Sequence, residues 1–148
     1  MKKETVAAKV CVDASLALKL VFSESDSDQA EAEWQDWIRS GIQIEAPFLF
    51  IYETTSVVRN RLYRREITQA EAEEALGILA GLHITYLHPP AIRQTAWELS
   101  HRFNRPTAYD SFYLAAAQLE GCHFWTGDRR LYNAVRRELE WVHALRAG

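Results

Sequence analysis

Residues 107–131 read TAYDSFYLAAAQLEGCHFWTGDRRL. A helix-like apolar stretch closed by Gly121 runs directly into a strand-like one, CHFWT, and a new helix opens at Asp128. One carboxylate, Asp110, stands near the start of the first helix, and another, Asp128, at the start of the second. Helices that alternate with short apolar strands imply a parallel sheet covered on both faces.

Working outward, the same alternation extends over the chain. The pattern predicts strands at 9–13 (KVCVD), 42–46 (IQIEA), 83–87 (HITYL) and 122–126, with a last short strand near Trp141. Helices are expected at 15–22, 27–40, 47–65, 68–80, 90–103, 107–120 and 128–138. In the second of these Ala30, Trp34, Trp37 and Ile38 fall on one face, and Gly41 stops it. Pro47 and Pro90 open two helices, and Thr68 with Glu71 forms a capping box. The expected fold class is α/β, a three-layer α/β/α domain with a central parallel sheet of about five strands, and residues 1–148 form a single domain.

The 148 residues are 48% hydrophobic and 11% aromatic, enough to bury one core. No run of 18 apolar residues could span a membrane, and the basic start at Lys2 and Lys3 is followed by an apolar stretch broken by Lys9 and Asp13. A cytoplasmic protein without a membrane partner is expected. The two cysteines, Cys11 and Cys122, lack metal-ligand spacing and read as reduced core thiols. The net charge of −3 gives no global attraction for nucleic acid, so such a site needs a local basic patch. Residues 59–66, RNRLYRRE, supply four arginines against one acid.

In a parallel α/β sheet, helices that follow a strand begin at its carboxyl edge, and helices that lead into a strand have their N-termini at that edge. Asp13, Glu53, Asp110 and Asp128 are therefore delivered to one edge, where open α/β folds bind ligands. Each has a local explanation when taken alone. Asp13 and Asp128 can cap the helices that follow, Asp110 can complete a capping box with Thr107, and Glu53 can face solvent. Together they are costly, because two carboxylates about 4 Å apart repel by roughly 4 kcal/mol at an effective dielectric near 20. A hard divalent cation, Mg²⁺ or Mn²⁺, offsets that repulsion, and the absence of paired cysteines or an H-x-x-x-H spacing argues against zinc.

VCVDASLAL (10–18), FIYETTSVVRNRL (50–62), TAYDSFYLAAAQLEG (107–121) and FWTGDRRLYNAV (124–135) resemble the signature blocks of PIN-domain ribonucleases. They are most similar to the VapC-type toxins of toxin–antitoxin pairs. The resemblance covers nearly the whole chain in the right order. It implies an acidic catalytic and metal-binding quartet of Asp13, Glu53, Asp110 and Asp128, assisted by the hydroxyls of Ser15 and Thr126. It also implies a metal-dependent endoribonuclease that uses Mg²⁺ or Mn²⁺ and water to leave a 5′-phosphate and a 3′-hydroxyl. Its partners would be an RNA substrate, a cognate antitoxin and a second copy in a homodimer, for which the face bearing Trp34, Trp37 and Ile38 is available. No further acid lies within a few residues of Asp128, where some relatives carry a fifth.

An acidic pocket repels RNA, so basic groups must hold the backbone. Arg59, Arg105, Arg129 and Arg130 are candidate phosphate contacts, with helix-end charge as their alternative role. Tyr109 and Tyr113 could stack bases or belong to the core. A phosphorelay receiver would need an acid pair, an aspartate after the third strand and a late lysine, and a dehalogenase-type phosphatase would need D-x-D; neither pattern is present. The remaining alternative is a catalytically silent PIN-like module that binds RNA or protein.

Overall fold

The computed structural model describes residues 8–145. The segment with Lys2 and Lys3 lies outside the described residues. Chain order is β1 (Lys9–Val12), α1 (Ala14–Leu18), α2 (Ser27–Arg39), β2 (Gln43–Pro47), α3 (Leu49–Tyr63), α4 (Gln69–Gly81), β3 (Ile84–Leu87), α5 (Ile92–Arg102), α6 (Tyr109–Glu120), β4 (His123–Thr126), α7 (Arg129–Val135) and β5 (Val142–Ala144). Among the described residues the five strands form one all-parallel sheet in the order β3-β2-β1-β4-β5.

Two aromatic contacts establish the layers. Phe124 and Trp125 are neighbours in β4 and so face opposite sides of the sheet. Tyr113 of α6 stacks on Phe124 at 6.4 Å between ring centroids, and Trp37 of α2 meets Trp125 edge-on at 5.9 Å. Helices α6 and α2 therefore cover opposite faces, giving the α/β/α sandwich. The centre of the sheet is apolar: Val10, Cys11 and Val12 of β1 and Phe124 of β4 are buried. Gly121 ends α6 at φ +71°, a left-handed turn favourable to glycine, and Cys122, just before β4, places its sulfur 3.2 Å from that of Cys11. Both thiols are free.

Several boundaries differ from expectation. Pro47 ends β2, paired with Leu87, because a residue without an N–H fits a strand end as well as a helix start; α3 begins at Leu49. Pro89 and Pro90 form a turn closed by Ile92 N–H to Pro89 O at 3.0 Å, so α5 begins two residues late. Helix α1 is only five residues long, and beyond it the chain continues in i→i+3 turns through Val21. The Thr68–Glu71 capping box forms as expected. Thr107 and Asp110 do not form one: α6 starts from Ala108 without a side-chain cap. The face carrying Trp34 and Trp37 is core, only 3% and 6% exposed, because Trp37 packs on the sheet; Ile38 alone of that trio is exposed. That face is not available for dimerisation.

Candidate acidic site at the carboxyl edge

Strand order reverses about β1: the chain steps from β1 to β2 and β3 on one side, then crosses to β4 and β5 on the other. The carboxyl ends of β1 and β4 thus border the switch point where such sheets open a crevice. Asp13 follows β1, Thr126 ends β4, and Asp128 opens α7. Glu53 lies in the second turn of α3 and Asp110 in the first turn of α6.

Asp13 is nearly fully buried and saturated with hydrogen bonds. Its Oδ1 accepts from Ser15 Oγ at 2.7 Å and from the Leu16 N–H at 3.0 Å, and its Oδ2 accepts from Thr126 Oγ1. Each hydroxyl has one proton, so Ser15 and Thr126 both spend theirs on Asp13 and turn lone pairs to the next loop. Ser15 Oγ accepts the Gly127 N–H at 3.0 Å, and Thr126 Oγ1 accepts the Asp128 N–H at 2.9 Å. Asp128 then caps α7, its Oδ1 accepting from the Arg130 and Leu131 N–H groups at 2.9 and 3.3 Å. One network thus runs from Asp13 to Asp128, with Ser15 and Thr126 as its links.

Gly127 is essential to that closure. A Cβ there would stand 2.9 Å from the Ser15 carbonyl oxygen and 2.6 Å from Lys19 Cε. Lys19 itself is held by Glu24 at 2.7 Å and Asp26 at 2.9 Å.

The acids sense one another. Burial pushes the Asp13 carboxyl up to about 6 despite its three kinds of donor, and Asp110 adds to the rise. Glu53 is raised by burial and by Asp110 and Asp13, with the nearby Tyr113 hydroxyl opposing, while Asp110 is raised by burial and then by Asp128, with Arg105 opposing. Asp13, Glu53 and Asp110 thus each lie near enough to another of the four acids for its charge to be felt. Among the described residues no three His, Cys, Asp or Glu side chains form a ready ligand cage. The donor chemistry nevertheless fits a hard divalent ion. The donors are all carboxylates, and Glu53 Oε1 is buried with no hydrogen-bond partner among the described residues.

The basic candidates divide. Arg105 reaches Asp110 at 3.4 Å, and Arg129 donates to Leu145 O at 2.6 Å while lying over the Tyr132 ring, which turns it to the chain end. Arg59 sits over Tyr63, about 9 Å of helix rise beyond Glu53 and away from the carboxyl edge. Arg130, like Arg59, has its guanidinium without a hydrogen-bond or ion-pair partner among the described residues, and of the two only Arg130 adjoins Asp128 in the chain. Tyr109 is 61% exposed, whereas Tyr113 is core. Tyr52 and Tyr109, the residues before Glu53 and Asp110, border an aromatic cleft of about 270 Å³ with Phe48 and His88. Tyr52, Gly127 and Lys19 were not singled out from sequence. For Gly127 the T-x-D spacing held no signal, since its φ is not left-handed and the close approach of Ser15 and Lys19 that requires a glycine comes from a distant part of the chain.

The PIN domain family model matches residues 10–137. No curated protein matches the sequence. Among solved structures, PAE2754 from Pyrobaculum aerophilum is similar at TM-score 0.61 and 19% identity, over 94% of this chain and 92% of that one. The structure of VapBC2 from Rickettsia felis bound to a DNA fragment from their promoter matches at TM-score 0.68 and 8% identity, over 93% and 99%. VapC20 of Mycobacterium tuberculosis, described as a sarcin-ricin loop cleaving toxin, matches at 0.61 and 17%, over 84% and 94%. At these identities the likeness is one of fold. Among the described residues no helix is long and apolar enough to cross a membrane.

Proposed function

This chain belongs to the PIN domain family, and from that premise we propose that it is a metal-dependent endoribonuclease, the toxin of a type II toxin–antitoxin pair. The observation that carries the reading is the meeting of Asp13, Glu53, Asp110 and Asp128 at the carboxyl edge, each of the first three raised by its acidic neighbours as well as by burial. In this reading residues 1–148 form one nuclease domain, acting in the cytoplasm with an RNA substrate, a cognate antitoxin and a second copy as partners.

Asp13, Asp110 and Asp128 would hold Mg²⁺ or Mn²⁺, with Glu53 binding directly or orienting water. An ion bound there would lower the pKa of water and offset negative charge on a phosphoryl group. Ser15 and Thr126 keep Asp13 in one orientation through the bonds described above. Thr126 also ties the Asp128 backbone to the same carboxylate, so the acids after β1 and β4 move as a unit. Glu53 and Asp110 are supplied by the first two turns of α3 and α6. Arg130 supplies a phosphate contact, and the exposed rings of Tyr52 and Tyr109 offer stacking surfaces to unpaired bases beside the acids.

Purified protein incubated with RNA and Mn²⁺ is expected to give fragments with 5′-phosphate ends, a reaction stopped by chelation and by Asp13→Asn. Titration calorimetry is expected to show Mn²⁺ binding that Asp13→Asn removes. Protein that binds Mn²⁺ yet leaves every RNA intact would point instead to a silent PIN-like binding module.

A further inference from the structure

Tyr113 is 2% exposed, one turn after Asp110 on α6, with its ring stacked on Phe124. A phenylalanine would fill that space without burying a hydroxyl. The hydroxyl has no hydrogen bond of good geometry among the described residues, and neither has Glu53 Oε1. Its neighbours are the Glu53 and Asp13 carboxylates and the Ala14 backbone N–H. Two buried polar atoms thus approach each other at the edge of the acid site, each short of a hydrogen bond of good geometry, which native interiors rarely tolerate without purpose.

The chemistry of these neighbours fixes the direction of any bond. A backbone N–H only donates and an ionised carboxylate only accepts, while a phenol with its ordinary pKa near 10 keeps its proton at neutral pH and can do both. Asp13 is already supplied: Ser15 and Leu16 donate to one oxygen and Thr126 to the other. Glu53 Oε1 is the open acceptor. We infer that the Tyr113 hydroxyl is a positioning group of the acid site, which accepts the Ala14 N–H and donates its proton to Glu53 Oε1. Because Ala14 follows Asp13 directly, one oxygen then links the β1–α1 junction to α3 and holds Glu53 at a fixed place relative to Asp13. The role rests on the quartet being the reaction centre.

Tyr113→Phe removes that one atom and keeps the ring. The test compares wild type, Tyr113→Phe, Glu53→Gln and the double variant by Mn²⁺ titration calorimetry, by kcat and KM for RNA cleavage, and by thermal midpoint without metal. Positioning through Glu53 predicts an Mn²⁺ affinity and a kcat each lower by about tenfold in Tyr113→Phe, with KM unchanged. It also predicts that adding Tyr113→Phe to Glu53→Gln has no further effect on Mn²⁺ affinity, since the two act as a unit. A hydroxyl that only packs would shift the metal-free midpoint and leave affinity and kcat alone. Wild-type affinity and kcat in Tyr113→Phe, beside an active wild type and a disabled Glu53→Gln, would overturn the inference and leave the nuclease reading standing. A wild type that neither binds Mn²⁺ nor cleaves RNA would overturn both.

Discussion

At Asp110 two explanations of one carboxylate lead to opposite outcomes. Thr107 makes no cap and α6 starts without a side-chain bond, so Thr107→Ala is expected to change stability by no more than about 0.5 kcal/mol. Asp110→Asn loses the Arg105 contact but relieves repulsion from Asp128, so its metal-free midpoint should hold or rise while Mn²⁺-dependent cleavage falls by a factor of at least about 100. An Asp110→Asn protein that cuts at the wild-type rate would remove Asp110 from the site. Asp13 makes a separate prediction through pH. Its carboxyl, raised in the fold to about 6 from an ordinary value near 4, holds a proton longer folded than unfolded. The stability it contributes is therefore complete below about pH 4 and lost as pH rises to about 6, by roughly 3 kcal/mol. Denaturant titrations without metal should show that loss in wild type relative to Asp13→Asn, and saturating Mg²⁺ should reduce it. No wild-type-specific fall between pH 4 and 6 would mean that Asp13 is better solvated than its burial implies. At Gly127, an added methyl must displace the Ser15 carbonyl, so Gly127→Ala should cost on the order of 1–3 kcal/mol and weaken Mn²⁺ binding, read by melting and calorimetry.

Among the elements, α7 has a cap that leaves room for the proposed ligand role. Asp128 caps through Oδ1 alone, which leaves its second oxygen for the site. Asparagine caps about as well as aspartate, so Asp128→Asn should keep the midpoint while losing Mn²⁺ affinity, and Asp128→Ala should lose about 1 kcal/mol besides. Equal affinity in wild type and Asp128→Asn would reduce Asp128 to a cap. What the sequence made legible at this scale was local. The Thr68–Glu71 box needs only four residues in one turn, and it formed as written. The same kind of pattern failed at Thr107, where the chain enters α6 from Ala108, and the proline signals at 47 and 90 slipped because proline suits a strand end or a turn equally well. The apolar stripe of α2 was legible too, but not its partner; periodicity shows that Trp34 and Trp37 share a face, and only the third dimension shows that the sheet covers it. Glu45 illustrates the limit. It lies wholly buried in β2 beside Lys9 at 3.9 Å, pushed up to about 7 by burial and by Glu120, and nothing in IQIEA distinguishes it from a strand's solvent-facing residue.

For the molecule as a whole, alternation of strand and helix was enough to place four distant acids at one edge, because parallel topology leaves their helices no other place to begin. Strand order and side-chain pairing were beyond it, and under the proposed function they decide how RNA would be held. The net charge is −3, so there is no long-range attraction, and most arginines that flank the late acids are engaged. Arg102 meets Glu138 at 3.5 Å, Arg105 meets Asp110 and Arg129 meets Leu145 O, which leaves Arg130 as the one whose guanidinium has no partner among the described residues. Few phosphates can then be neutralised. Single-stranded RNA binding, measured without metal to prevent cleavage, should weaken with salt with a log–log slope of only about −1 to −2, as expected for roughly two phosphate contacts at −0.7 each. Arg130→Ala should make that slope shallower by about 0.7 and weaken binding, whereas Arg129→Ala should leave the slope alone and lower the melting temperature, since its work is to tie α7 to the chain after β5. A wild-type slope steeper than about −4 would mean that the arginines of α3, or those now held in ion pairs, swing to the RNA, and the static arrangement of charge would be the wrong guide to the bound state.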